Sequence, residues 1–335
     1  MPGQVLVTGG NGYIAGFLIR QLIAEGWQVN ATIRDPDVQG SLRDALDASE
    51  SSLRFFAADL MQDAGWAEAL AGCSHVAHLA SPLPSGVPEN EEEVIAPARE
   101  GALRVLRLAR DAGVQRFVLA SSIGAIGYGR PKGDYHFTEA DWTNTAHSDT
   151  HAYVNSKTIS ERVARDWAAE NGRGMEFCSV NPSVVLGPIL GGRMSASIEA
   201  VRRILAGLPG CPRIGFEFVD VRDVADCFVR ALSRPGLNGE RFIASATWLD
   251  LIDIARILKG RLGDRASAVN VREMPDEVME WFAGFDPVAM QLVMELGRTR
   301  RMDSSHARSV LGWQTRPIEL TIEETAESLL EHSLV

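Results

Sequence analysis

Short apolar runs rich in β-branched residues recur along the first half of the chain, at 4–8, 28–33, 53–57, 75–79, 115–120 and 175–180. Between several of them, apolar residues return every three or four positions, at 12–25, 64–71, 97–112 and 152–170. The first pattern predicts strands buried on both faces and the second predicts amphipathic helices. Strand and helix in turn predict parallel βαβ units, and so an α/β fold with a doubly wound parallel sheet. The regularity fades after Val180, where Gly187-Pro188, Gly191-Gly192 and Leu208-Pro209-Gly210 punctuate the chain. Residues 1–182 are expected to form the sheet domain. Residues 183–335 are expected to form mainly a smaller helical domain, with a late strand near 241–244 returning to the sheet.

Composition changes this picture little. The chain has 335 residues, 45% hydrophobic and 23% charged, ordinary values for a globular protein of about two domains. A net charge of −11 argues against nucleic acid or an anionic membrane as a partner. Cys73, Cys178, Cys211 and Cys227 form no C-x-x-C pair, so small buried apolar roles are expected. No charged segment followed by a short apolar one opens the chain, and no run of about 18 apolar residues occurs, so a cytoplasmic location is expected.

Thr8-Gly9-Gly10-Asn11-Gly12-Tyr13-Ile14-Ala15 joins the first strand to the first helix. Gly9 suits a tight turn, Gly12 lets backbone approach a pyrophosphate, and Ala15 lets helix pack close on strand. Amides at such a helix start bind anions, so a Rossmann dinucleotide site is expected here. Ile33 falls where an NAD site carries an acid for the ribose, and Arg34 follows it. A guanidinium suits a 2′-phosphate, which favours NADPH/NADP over NAD. The other readings are an Arg34 paired with Asp35, or a register in which Asp35 is the ribose acid. Asp59 is expected either to accept from the adenine amino group or to cap the segment beyond it. Thr8, Tyr13, Ile14, Leu60 and Ala80 complete the candidate cofactor set.

Tyr153 and Lys157 are four apart on a predicted helix, which stacks them on one face. A cation beside a phenol lowers its pKa from near 10, making it a better acid for a carbonyl oxygen. Ser121-Ser122 follow the strand 115–120, and Asn181-Pro182 follow the strand ending at Val180, at the edge where open α/β sheets bind ligands.

These motifs resemble those of the extended short-chain dehydrogenase/reductase family over nearly the whole chain. Phe218-Val219-Asp220-Val221-Arg222-Asp223-Val224-Ala225 is a further match. The segments 29–36 and 116–124 resemble the dihydroflavonol-reductase-like branch. The resemblance implies that Ser122 orients a carbonyl, Tyr153 donates the proton, and Lys157 lowers the Tyr153 pKa and holds the nicotinamide ribose. It further implies that Arg34 binds the NADP phosphate, that Asn181 and Pro182 lie by the nicotinamide, and that the protein is a monomer or homodimer. Departures narrow the substrate. Gly127 stands where flavonoid reductases carry Asn, and the segment 150–157 lacks the N-W-Y-C-Y-G-K block of cinnamoyl-CoA reductases. Ile123-Gly124 stand where sugar-nucleotide dehydratases carry Asp-Glu.

Among the remaining residues, His75 and His78 lie on opposite strand faces and are expected to be structural. Asp220, Asp223 and Asp226 are expected at a helix start with Arg222 as neighbour, and no metal site is expected. Trp281, Phe282 and Phe285 are expected in a domain core, or else roofing a pocket. Leu83, Ile123, Ile126, Tyr128, Met194 and Phe216 are candidate pocket walls. The expected activity is NADPH-dependent reduction of a ketone or aldehyde carbonyl on a hydrophobic small molecule, or the reverse oxidation of its alcohol. The alternatives are an NAD-dependent nucleotide-sugar epimerase and a non-catalytic dinucleotide sensor.

Overall fold

In the computed structural model, which describes residues 3–81, 90–191 and 194–335, strand side chains alternate between two cores. β1 (Gln4–Thr8) sends Val5 and Val7 to one side and Leu6 to the other, all fully buried. β2 (Gln28–Ile33), β3 (Leu53–Ala57), β4 (His75–His78) and β5 (Arg116–Ala120) follow. After β6 (Gly133–Phe137) come β7 (Glu176–Pro182), β8 (Val184–Leu186), β9 (Cys211–Pro212) and β10 (Gly215–Asp220). The last strands are β11 (Arg241–Ala244), β12 (Thr247–Asp250), β13 (Glu273–Met274) and β14 (Arg298–Met302).

The main sheet runs β11-β7-β5-β4-β1-β2-β3, and each neighbouring pair is parallel. The order reverses at β1, so a crevice opens where the carboxyl ends of β1 and β4 part, the usual ligand position in such sheets.

On one face lie α1 (Tyr13–Ala24), α7 (Val221–Ser233) and α11 (Ser305–Leu311), over Val5, Val29, Val118 and Cys178. On the other lie α3 (Trp66–Leu70), α4 (Glu92–Asp111) and α5 (Ala152–Asn171), over Leu6, Phe117, Leu119 and Phe177. A separate core gathers α6 (Glu199–Leu205), α8 (Leu251–Leu262) and α12 (Ile318–Glu331) around Leu186, Phe218 and Ile254. Strand β11 extends the main sheet, and α7 and α11 pack on it, so the chain returns to the first core more than once after residue 182.

The helix expected at 97–112 begins earlier, at Glu92, and contains Pro97. Glu92 and Glu93 in its first turn suit the positive helix end. Helix α2 (Gln39–Leu46) and the β6–β14 pairing were not anticipated. Trp281 and Phe285, on and just beyond α9 (Asp276–Ala283), are 65% and 61% exposed and are not core. The four cysteines are buried and unpaired. Among the described residues no helix is long and apolar enough to cross a membrane, and no His, Cys, Asp and Glu group could hold a metal.

One hydroxyl ties the two strands that flank the crevice. Thr8 Oγ1 accepts from the amides of Leu79, at 3.0 Å, and Ala80, at 2.9 Å. Thr8→Val keeps the shape and strands both amides, at a cost of about 1–3 kcal/mol for each one left unpaired. Urea unfolding should show a lowered midpoint with unchanged slope. A loss below about 0.5 kcal/mol would mean that the amides find other partners.

Candidate active site

The turn after β1 is built around two glycines. Gly9 has φ +66°, and a Cβ there would lie 3.0 Å from Ala80 Cα. A Cβ on Gly12 would lie 3.1 Å from the Gly9 carbonyl oxygen. The turn is anchored by Gly10 N donating to Thr32 O at 2.7 Å and Gly12 N to Gly9 O at 2.8 Å. No side chain caps α1, and the Tyr13 and Ile14 amides have no partner among the described residues. Unspent amides at a helix start above a switch-point crevice fit the pyrophosphate of a dinucleotide. The Thr8 side chain is already engaged. The Tyr13 side chain turns away, its hydroxyl buried without a partner about 3.2 Å from where a Gly187 Cβ would sit. Burial, then the nearby Asp220 carboxylate, pushes that phenol's pKa up.

Arg34 lies just past β2, exposed and without an ion-pair partner among the described residues. Asp35 is engaged elsewhere: its carboxylate caps a short turn by accepting from Asp37 N at 3.0 Å. Asp59 accepts from Met61 N at 2.8 Å, the capping role, while Leu60 packs on α4 beside Gly101. The Ala80 amide is spent on Thr8.

Ser122, Tyr153 and Lys157 come together at the crevice. Ser122 lies two residues beyond β5 and caps the short helix Ile123–Ala125, its Oγ accepting from Gly124 N at 3.0 Å. Tyr153 lies in the first turn of α5, with its phenol beside the Ser122 hydroxyl. The Lys157 ammonium is 5.9 Å from the centre of the Tyr153 ring.

The electrostatics differ from the expectation. Burial raises the Tyr153 pKa above its usual 10, Ser122 offsets only part of that, and Lys157 is not among the causes. Burial also brings Lys157 down to about 8, against the opposing pull of Glu161. His78 is held near 3 by burial and then by Lys157. Thr8 Oγ1 accepts two amides, so its single proton goes to His78 Nδ1, 2.9 Å away, which leaves a neutral ring protonated at Nε2.

Glu161 was missed. It is fully buried on α5, one turn beyond Lys157 and two beyond Tyr153. It accepts from Ser121 Oγ at 2.5 Å, Ser179 Oγ at 2.8 Å, Asn181 Nδ2 at 2.8 Å and Arg241 Nε at 2.7 Å. Asn181 Nδ2 also donates to the Ser122 carbonyl at 3.2 Å, while Pro182 is buried at the end of β7. The one sequence signal was an acid repeating the Tyr153–Lys157 spacing.

The candidate walls divide. Ile126 is fully enclosed by Phe137, Ile243 and Met302, so it backs the site and does not face it. Ile123 and Tyr128 are half-buried, with Tyr128 edge-on to His151 at 6.2 Å. Phe216 packs edge-on against Phe218, and Met194 is exposed. Leu83 lies outside the described residues. A Cβ on Gly127 would lie 2.5 Å from Met302 Cε, so the space for a longer side chain there is taken. A cleft of about 800 Å³ lies elsewhere, between α1 and α7. Its Arg222 is paired with Asp220 and Glu324, and its Arg316 with Asp223.

By its fold the chain is a Rossmann-type dinucleotide protein. It belongs to the NAD dependent epimerase/dehydratase family, whose sequence profile matches residues 5–244, and within it to the extended short-chain dehydrogenases/reductases. It is 31% identical to cinnamoyl-CoA reductase CAD2 of Medicago truncatula, over 98% of this chain and 95% of that protein. It is 31% identical to a dihydroflavonol 4-reductase of Hordeum vulgare, over 77% of this chain and 75% of that protein. Yeast methylglyoxal/isovaleraldehyde reductase Gre2, solved with NADPH, superposes with a TM-score of 0.84 at 23% identity, covering 98% of this chain and 99% of its own.

The raised phenols are directly measurable. Burial is the first cause for Tyr13, Tyr128 and Tyr153 alike. Phenolate absorbance of the cofactor-free protein at about pH 10 should show at least three of the four tyrosines still mostly protonated. Ionisation of two or more at that pH would contradict the burial account.

Proposed function

We propose that the protein is an NADPH-dependent reductase of ketone or aldehyde carbonyls on hydrophobic small molecules. The observation that carries this reading is the meeting of a hydroxyl, a phenol and an ammonium at Ser122, Tyr153 and Lys157 beside the glycine turn. The Gre2 enzymes solved with NADPH support the choice of cofactor, as does Arg34 just past β2, exposed and without an ion-pair partner among the described residues. The amides of Tyr13 and Ile14 would hold the pyrophosphate, Arg34 the 2′-phosphate and Lys157 the nicotinamide ribose. When bound, the nicotinamide supplies the hydride.

The chain's own part is to hold the carbonyl and move a proton. The Ser122 hydroxyl donates to the carbonyl oxygen and orients it. The raised pKa keeps Tyr153 protonated near neutral pH, so its O–H proton is available to the oxygen as negative charge develops there. The charge left on the phenol oxygen is eased by the Ser122 hydrogen bond, while the Lys157 ammonium, 5.9 Å from the centre of the ring, would hold the nicotinamide ribose. Reduction therefore needs Tyr153 protonated and Lys157 charged, a combination lost as pH rises through about 8. Alcohol oxidation needs the phenolate instead, and is favoured by higher pH.

The nucleotide-sugar reading is weaker, because Ile123 and Gly124 supply no acid and base. It also requires tightly held NAD, which denaturing the purified protein would release for identification.

Two substitutions test the proposal. Tyr153→Phe should lower kcat for carbonyl reduction by about 10²–10⁴-fold, with the NADPH Kd held within about twofold. Full activity in that variant would remove the mechanism. Arg34→Ala should weaken NADPH binding by about 10-fold or more and leave NADH binding nearly unchanged. Equal effects on the two dinucleotides would take Arg34 out of the phosphate site.

A further inference from the structure

Lys157 faces a conflict that its own helix resolves. Around its ammonium stand Tyr153 and Glu161 on α5 and His78 on β4, with Ser122 beyond Tyr153, just past β5. His78 is neutral, so Glu161 is the anion that acts on this lysine. The i, i+4 spacing puts the two Cβ atoms about 6 Å apart.

The carboxylate is itself tightly held. Besides Lys157, Arg241 on β11 and Arg165 on α5 are cations near it. Ser121, Ser179 and Asn181 donate to it from β7 and the end of β5. The remaining Arg241 donors meet the carbonyls of Glu139 and Asp141, both at 2.7 Å, and its guanidinium lies 3.7 Å from the Trp142 ring centre.

We propose that Glu161 is a positioning residue for carbonyl reduction: its carboxylate is the counter-charge for Lys157 and the node that holds Asn181, whose amide in turn donates to the Ser122 carbonyl at 3.2 Å. The proposal rests on the reductase reading above. It goes beyond that reading by assigning a catalytic consequence to a group that touches neither substrate nor cofactor. A purely structural carboxylate would affect stability alone. A counter-charge also sets the pH at which Lys157 loses its proton.

The chain contains only three lysines, Lys132, Lys157 and Lys259, so lysine-labelled NMR can follow each ammonium separately. In the cofactor-free wild-type protein, Lys157 should titrate near 8. Glu161→Gln should move that titration down by about one pH unit and leave the other two lysines in place. The alkaline fall of kcat for NADPH-dependent reduction should move with it. Glu161→Asp, which keeps the charge, should return the titration to within about half a unit of wild type, whatever it does to stability.

Because Glu161→Gln strands a buried guanidinium, Glu161→Gln/Arg241→Gln is the second variant, expected to show the same downward shift. A folded variant lacking the Glu161 charge, in which Lys157 titrates as in wild type, overturns the proposal. So does failure of both neutral variants to fold by circular dichroism, which assigns the carboxylate to folding alone. Wild-type protein that reduces no carbonyl with NADPH would instead defeat the reductase reading, and the lysine titration would register that failure separately.

Discussion

The burial of one lysine, Lys157, is the constraint from which much of this structure follows. Burial pulls its proton off and brings its pKa to about 8. Two features of the surrounding chain work against that loss. His78, the nearest group able to carry a competing positive charge, is kept neutral by burial, and its Nδ1 is occupied by Thr8. Glu161 supplies negative charge from the next turn of the same helix. Burying a carboxylate is costly in turn, and that cost is met by two serines, an asparagine and Arg241. Arg241 meets its own burial with two carbonyls and a tryptophan face. The compensation thus runs from the crevice to the edge strand β11. A buried ion pair adds little net stability over an apolar replacement, so stability is a poor explanation for keeping this one.

The strands, the switch-point sheet and the glycine turn were legible because their signals are local. A strand buried on both faces is a short apolar run, and a phosphate turn is a few adjacent residues. What escaped notice depends on distant partners. Glu161 and Arg241 are 80 positions apart, and neither breaks the periodicity of its own element. The β6–β14 pairing joins Gly133 to Arg298, with no turn between them to announce it. Ile126 reads as a wall by its place after Ser122, yet the side chains of Met302 and Ile243, from far along the chain, enclose it. Trp281 and Phe285 misled in the opposite sense, since their short helix buries Met279 and leaves them outside.

Tyr153 shows how a correct neighbourhood can carry the wrong sign. Helix spacing predicts a cation beside the phenol that loosens its proton, and the place of Ser122 after a strand predicts a hydroxyl at the same edge. Distance and desolvation decide otherwise. The ammonium is 5.9 Å from the ring centre, and removing the phenolate from water outweighs the help from Ser122. In the proposed reduction this is no defect. A phenol that holds its proton until charge develops on a neighbouring oxygen discriminates between ground and transition state, which a permanently ionised group cannot do.

The surroundings of Tyr128 and His151 are coupled to a late part of the chain. Arg300 on β14 pairs with Glu295 and Asp149 and lies 4.0 Å from the centre of the Tyr128 ring, which borders His151 next to Tyr153. Arg298 of the same strand reaches Asp149 at 3.1 Å. Met302, two residues beyond Arg300, fills the space over Gly127 with Phe137 behind it. The absence of asparagine at 127 is therefore more than a one-residue departure from the flavonoid reductases. A side chain at 127 would have to displace the Met302 methyl from a contact shared with Ile126 and Ile243. The surroundings of Tyr128 thus depend on a long-range pairing, while Tyr153, Lys157 and Glu161 lie on successive turns of one helix.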